Sequence, residues 1–172
     1  MSFEEFNKIN SNAEEIAHRI FKLTRKEFPS ITALIKWFEE NFNFKISVVV
    51  TTLQSCSGMV LFDPETRGCK IRINKTEPVA RQRFTLCHEV AHIIRNWNLI
   101  YGFSTHDVYT AKGEERFCER FAAAFLMPAE LFVCEWNSLS NDDLLKKARV
   151  AKFFGVSVDA VNYRAKELRL IK

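Results

Sequence analysis

His88, Glu89 and His92 stand in the run RFTLCHEVAHIIRN, residues 83–96, and none of the three suits a segment otherwise rich in Phe, Leu, Val and Ile. On an α-helix, residues four apart lie about 40° apart around the axis, so both imidazoles project from one face. Two nitrogen donors at that spacing can grip one Zn2+, and a carboxylate beside the first can reach a water at the metal. The plain alternative is a pair of hydrogen-bonded histidines with a chance glutamate between them. Phe84, Leu86, Val90, Ile93 and Ile94 weigh against it, because they bury the helix and an unpartnered buried imidazole is costly.

A catalytic zinc takes three protein ligands and leaves one position open. The longer zinc motif, in which a Gly and a third His follow, fails here because Arg95 and Asn98 occupy those places. Another donor must come from elsewhere. The segment EERFCERFAAAFL, residues 114–126, puts Glu115 and Glu119 four apart on one helical face, ahead of Ala122, Ala123 and Ala124. Small residues there allow two helices to approach closely enough to share a metal. Phe117, Phe121 and Phe125 recur beside the glutamates, so the helix is at least half buried rather than a solvated face. His106 and Asp107 lie between the two segments and carry suitable donor atoms as well.

The elements that must position these residues follow from periodicity. Residues 11–27 predict an amphipathic helix with a Ser11–Glu14 capping box, and residues 31–41 a second helix carrying Leu34, Ile35, Trp37 and Phe38. Residues 44–51, 59–62 and 70–74 are β-branched or alternating and predict three strands, the last two joined by turn chemistry at residues 63–68. From Val79 the helical period runs to the C-terminus, broken near residues 98–113, at Met127-Pro128 and at Gly155. The expected class is α+β, mostly helical, with a small three-stranded sheet.

Composition bounds the function. A chain of 172 residues that is 47% hydrophobic and 27% charged can bury a core as one domain, and a net charge of +4 is too mild to argue nucleic-acid binding unaided. No run reaches the roughly 18–20 apolar residues of a membrane span. The start MSFEEFNKIN is acidic and polar, unlike a signal peptide. Cys56, Cys69, Cys87, Cys118 and Cys134 are odd in number and scattered, which suits reduced thiols in the cytoplasm.

Taken together, RFTLCHEVAH, EERFCERFAAAFLMP and VAKFFGVSVDAVNYRAKELRLI resemble the ImmA/IrrE metallopeptidases, the first two segments matching that family's signatures in order. The resemblance covers most of the chain after about residue 30. It implies a zincin-like, thermolysin-like core and one Zn2+ per chain, held by His88, His92 and Glu115, with Glu89 as general base. Where the family usually carries Asn or Asp, this chain has Glu119, a candidate to support a ligand histidine. Tyr101, His106 or Tyr109, in the 98–113 segment, could donate to a developing oxyanion. The Lys70–Asn74 strand could pair with an extended substrate. By the same resemblance the substrate is a helix-turn-helix repressor, cleaved by a cytoplasmic endopeptidase.

The C-terminal segment brings a rival. Residues 1–138 read as the peptidase domain and 139–172 as a helical tail packed on it. Within that tail, Gly155-Val156-Ser157 separates two helices in the manner of a helix-turn-helix, and Ser157 is an N-cap. Lys146, Lys147, Arg149, Lys152, Arg164, Lys166 and Arg169 surround it. A DNA-binding or protein-binding regulator with a structural or vestigial zinc site is therefore the alternative, although no full DNA-binding domain precedes residue 140.

Overall fold

The computed structural model describes residues 3–63, 67–96, 111–140 and 142–172. These form α1 (Phe3–Leu23), α2 (Ile31–Phe42), β1 (Lys45–Thr51), β2 (Gly58–Asp63), β3 (Gly68–Asn74), α3 (Val79–Asn96), α4 (Ala111–Leu126), α5 (Ala129–Ser138), α6 (Lys146–Phe154) and α7 (Val158–Glu167). The mostly helical α+β class with a three-stranded sheet is as expected from the sequence. Among the described residues no helix is long and apolar enough to cross a membrane.

The sheet has the order β1-β3-β2, with β1 parallel and β2 antiparallel to β3. Ile71 and Ile73 of β3 point inward and are buried, while Lys70 and Arg72, alternating with them, face out, the period-2 alternation of a half-covered sheet. Because β3 is bonded on both sides, the Lys70–Asn74 strand is not available to a substrate. Among the described residues, the unpaired edge on the α3 side belongs to β2, which contacts that helix.

Asn74, buried at the end of β3, ties down the segment that leads into β2. Its side-chain amide donates to the carbonyls of Leu53 (3.0 Å) and Cys56 (3.2 Å), and its main-chain N–H donates to Ser57 O at 2.8 Å. Backbone carbonyls outside the strand ladder are thus satisfied by one short amide.

α3 packs against both the sheet and α4, and α1 lies along α4. Ala13 and Ala17 of α1 and Ala122 and Ala124 of α4 are buried, small enough for close helix approach. Phe117, Phe121 and Phe125 stack along α4 at 6.3 and 5.9 Å, and Phe21 of α1 meets Phe125 edge-on.

Two local readings change. α1 starts at Phe3 rather than at a Ser11 cap, so Glu14 lies within the helix, and Arg25 closes it in the left-handed region at φ 51°. Glu14 is occupied elsewhere: Arg164 of α7 donates to it through both terminal guanidinium nitrogens, at 2.8 and 2.6 Å, and Arg120 of α4 donates at 2.9 Å. Arg164 is fully buried and also donates to Met127 O at 3.0 Å. It therefore holds α1, α4 and α7 together and is no part of an exposed basic surface.

The rest of the tail follows its caps. Gly155 (φ 64°) ends α6 with its N–H on carbonyls of the last turn, and Ser157 Oγ accepts from Ala160 N at 3.1 Å to start α7. Phe154 stacks on Phe132 of α5 at 5.7 Å. Lys146 is buried and donates to Leu139 O, while Lys147 donates to Asn162 Oδ1 at 2.7 Å.

Candidate metal centre

α3 is buried along one side by Val90, Ile93 and Ile94, and this fixes its rotation. The neighbouring strip of the same helix then turns His88 and His92 toward α4. From α4, Glu115 meets them. His88 Nε2 and His92 Nε2 are 3.2 Å apart, and Glu115 carboxylate oxygens lie 3.3 Å from the first and 3.5 Å from the second.

Zinc bonds of about 2.0–2.1 Å at a tetrahedral angle put neighbouring donors about 3.3 Å apart, so the three groups have the spacing of ligands on one ion. Both histidines are largely buried and Glu115 is 60% exposed, which leaves the cluster open on one side. Burial, reinforced by the charge of His92, holds His88 below the ordinary imidazole value, against an opposing pull from Glu115. A neutral ring with a free lone pair is what a metal requires.

A carboxylate not singled out in the sequence completes the arrangement. Glu114, adjacent to Glu115, accepts from His92 Nδ1 at 3.0 Å and ion-pairs with Arg95. Burial alone would raise the Glu114 pKa, but the bonds to His92 and Arg95 outweigh it and hold the carboxyl below its ordinary range. The only hint in the sequence is that Arg95 follows His92 by three residues and so shares its face. The support expected from Glu119 is thus supplied to His92 by Glu114. Glu119 lies 3.9 Å from Arg116 and lines the mouth of the site. Tyr101, His106, Asp107 and Tyr109 lie outside the described residues.

Glu89 reaches toward Gly58 at the start of β2, beside the cluster, and is only 7% exposed. Burial pushes its carboxyl upward, His92 opposes this, and Glu115 adds to it. Gly58 explains how the strand comes so near. A Cβ there would stand 2.4 Å from Thr85 Cγ2 and 3.1 Å from Glu89 Oε1, so any side chain would collide with the helix. Ser57, Gly58, Thr85, His88, Glu89 and Glu115 thus share a cleft of about 240 Å3.

All five cysteines are free, and burial raises the thiol pKa of Cys87 and Cys118, which removes them as nucleophiles.

The fold is similar to that of a solved Mycobacterium tuberculosis transcriptional regulator, with a TM-score of 0.62 and 19% identity over 93% of this chain. At that identity the likeness speaks for the fold alone, and this chain spans 51% of that one. No curated protein matches the sequence. The family model described as the IrrE N-terminal-like domain, Peptidase M78, matches residues 45–166, which include both histidines, Glu89 and Glu115. With that match over most of its length, the chain belongs to the Peptidase M78 family of IrrE N-terminal-like domains.

Proposed function

We propose that the protein is a zinc-dependent endopeptidase that cleaves a specific regulatory protein, a helix-turn-helix repressor being the substrate that its family resemblance implies. The observation that carries this reading is the His88–His92–Glu115 cluster, with a buried Glu89 in the cleft that His88 and Glu115 line. Residues 1–138 act as the peptidase domain and 139–172 as its helical tail, in the cytoplasm.

His88, His92 and Glu115 would hold one Zn2+ per chain, which when bound supplies Lewis acidity toward water and a peptide carbonyl. Glu89 accepts a proton from the attacking water and delivers it to the leaving amine nitrogen. Its burial and raised pKa make it a stronger base than an exposed carboxylate. Glu114 keeps His92 in the tautomer that offers Nε2 to the metal. The outer edge of β2 presents main-chain donors and acceptors to an extended substrate, which can add there as a strand.

The test is incubation of the purified, zinc-loaded protein with the helix-turn-helix protein encoded beside it, followed by intact-mass analysis. A single cut that a chelator abolishes and Glu89→Gln lacks is expected. An uncut partner with zinc bound would overturn the reading.

A DNA-binding regulator is favoured by one observation, the α6–Gly155–α7 geometry. Lys146, Lys147 and Arg164 are engaged within the protein, however, and Asp159 sits in the first turn of α7, where a phosphate would have to approach. Retention of duplex DNA with a steep salt dependence would restore that reading.

A further inference from the structure

We propose that a second cleft, between α3, α4 and α7, binds the stretch of substrate flanking the cleaved bond and selects an apolar residue accompanied by acidic ones. The proposal rests on the endopeptidase reading and names the substrate chemistry of that site.

This cleft is about 650 Å3, well within the range of roughly 300–1,000 Å3 typical of ligand sites. The metal cleft, at about 240 Å3 and mostly polar, offers little to grip a side chain. The two clefts share Arg81, Phe84 and Glu119 on their walls, so a chain crossing the metal cluster passes directly from one into the other. The floor of the larger cleft is apolar, made by Phe84, Ala123, Met127 and Val156.

The charges around it are not equivalent. Arg120 and Arg164 are spent on Glu14 and Glu167, and Arg116 faces Glu119. Arg81 and Lys166, both exposed, line it too, and beyond the glutamates already paired the acidic group there is Asp159, on α7 with Lys166. The rim is therefore net positive over an apolar floor. An extended segment that joins a large apolar side chain to neighbouring glutamates or aspartates is complementary to both features, and a lysine-rich one is not.

Peptide binding tests this without relying on hydrolysis. The probes are fluorescein-labelled decapeptides of alternating Leu and Glu or of alternating Leu and Lys. Anisotropy is read with full-length Glu89→Gln protein and with its Arg81→Glu/Lys166→Glu derivative, each after chelation, with thermal melts to check folding. The acidic probe should bind about fivefold more tightly than the basic one, and the double reversal should invert the preference. A benzophenone placed at a Leu position of the acidic probe should crosslink to Ala123 or Val156, a readout that needs no variant. Equal binding of the two probes, a preference that survives the double reversal, or crosslinks confined to other surfaces would each overturn the proposal. If the preference inverts as expected while zinc-loaded protein cuts no peptide, the cleft stands and the endopeptidase reading fails.

Discussion

Glu114 accepts a hydrogen bond from His92 Nδ1 at 3.0 Å, and this leaves His92 Nε2 facing His88 and Glu115. A carboxylate on the far nitrogen of a ligand histidine fixes the tautomer and makes the near nitrogen more basic. Glu114→Ala should therefore weaken zinc binding by about 10- to 100-fold without abolishing it. Glu115→Gln should cost more, because it removes a donor. Competition with a chromophoric chelator ranks the two, and a Glu114→Ala protein with wild-type affinity would deny the carboxylate this role.

Glu89 is expected to act on the proton of water and not on the metal. Glu89→Gln should retain one zinc per chain and the wild-type melting temperature, yet lose cleavage by at least about 100-fold, since an amide cannot accept the proton. Metal analysis and cleavage measured on the same preparation decide the matter. Loss of zinc in this variant would make Glu89 a ligand.

Gly58 is required for space and not for backbone freedom. Gly58→Ala should push β2 away from α3 or displace Glu89, because the added Cβ would meet Thr85 Cγ2 at 2.4 Å. Cleavage should fall while zinc content holds. Thr85→Ala on top of Gly58→Ala removes the atom in conflict and should recover part of the rate, which a double-mutant cycle on kcat would quantify.

Arg164 and Glu14 should contribute to the acid dependence of stability. Arg164→Met should destabilise the fold by about 3 kcal/mol, read by urea denaturation, because it strands part of a network joining three helices. Burial would raise the Glu14 pKa, but Arg164 and Arg120 outweigh it and hold the carboxyl below its ordinary value of 4.5. A depressed folded-state pKa means that the unfolded chain takes up the proton first as pH falls. The stabilisation is thus complete above 4.5 and is lost below it, through the folded-state pKa. The stability gap between wild type and Glu14→Gln should shrink over that window. A gap that stays constant down to the acid transition would show that the carboxylate's charge is irrelevant.

Much of this was legible in the residues themselves. The four-residue spacing of His88 and His92 on a segment of helical period is enough to place both rings on one face, since helix geometry is local. The alternation of Ile71 and Ile73 with charged residues marks a half-covered strand, and Gly155 and Ser157 mark the ends of α6 and α7 for equally local reasons. What remained open were contacts between segments far apart in the chain. Glu115 and Glu119 are equivalent by spacing. Only the packing of α4 on α3 turns Glu115 toward the histidines and brings Glu114 onto His92. The β-branched strands did not reveal their order, so β3 gave no sign of lying between β1 and β2. Nor could charge alone distinguish Arg164, buried against a glutamate 150 residues away, from Lys166, exposed two positions later. Periodicity records which face of an element is apolar. Which partner that face meets is decided by the sum of many tertiary contacts, and those determine the ligand set, the cleft beside it and the fate of each basic residue.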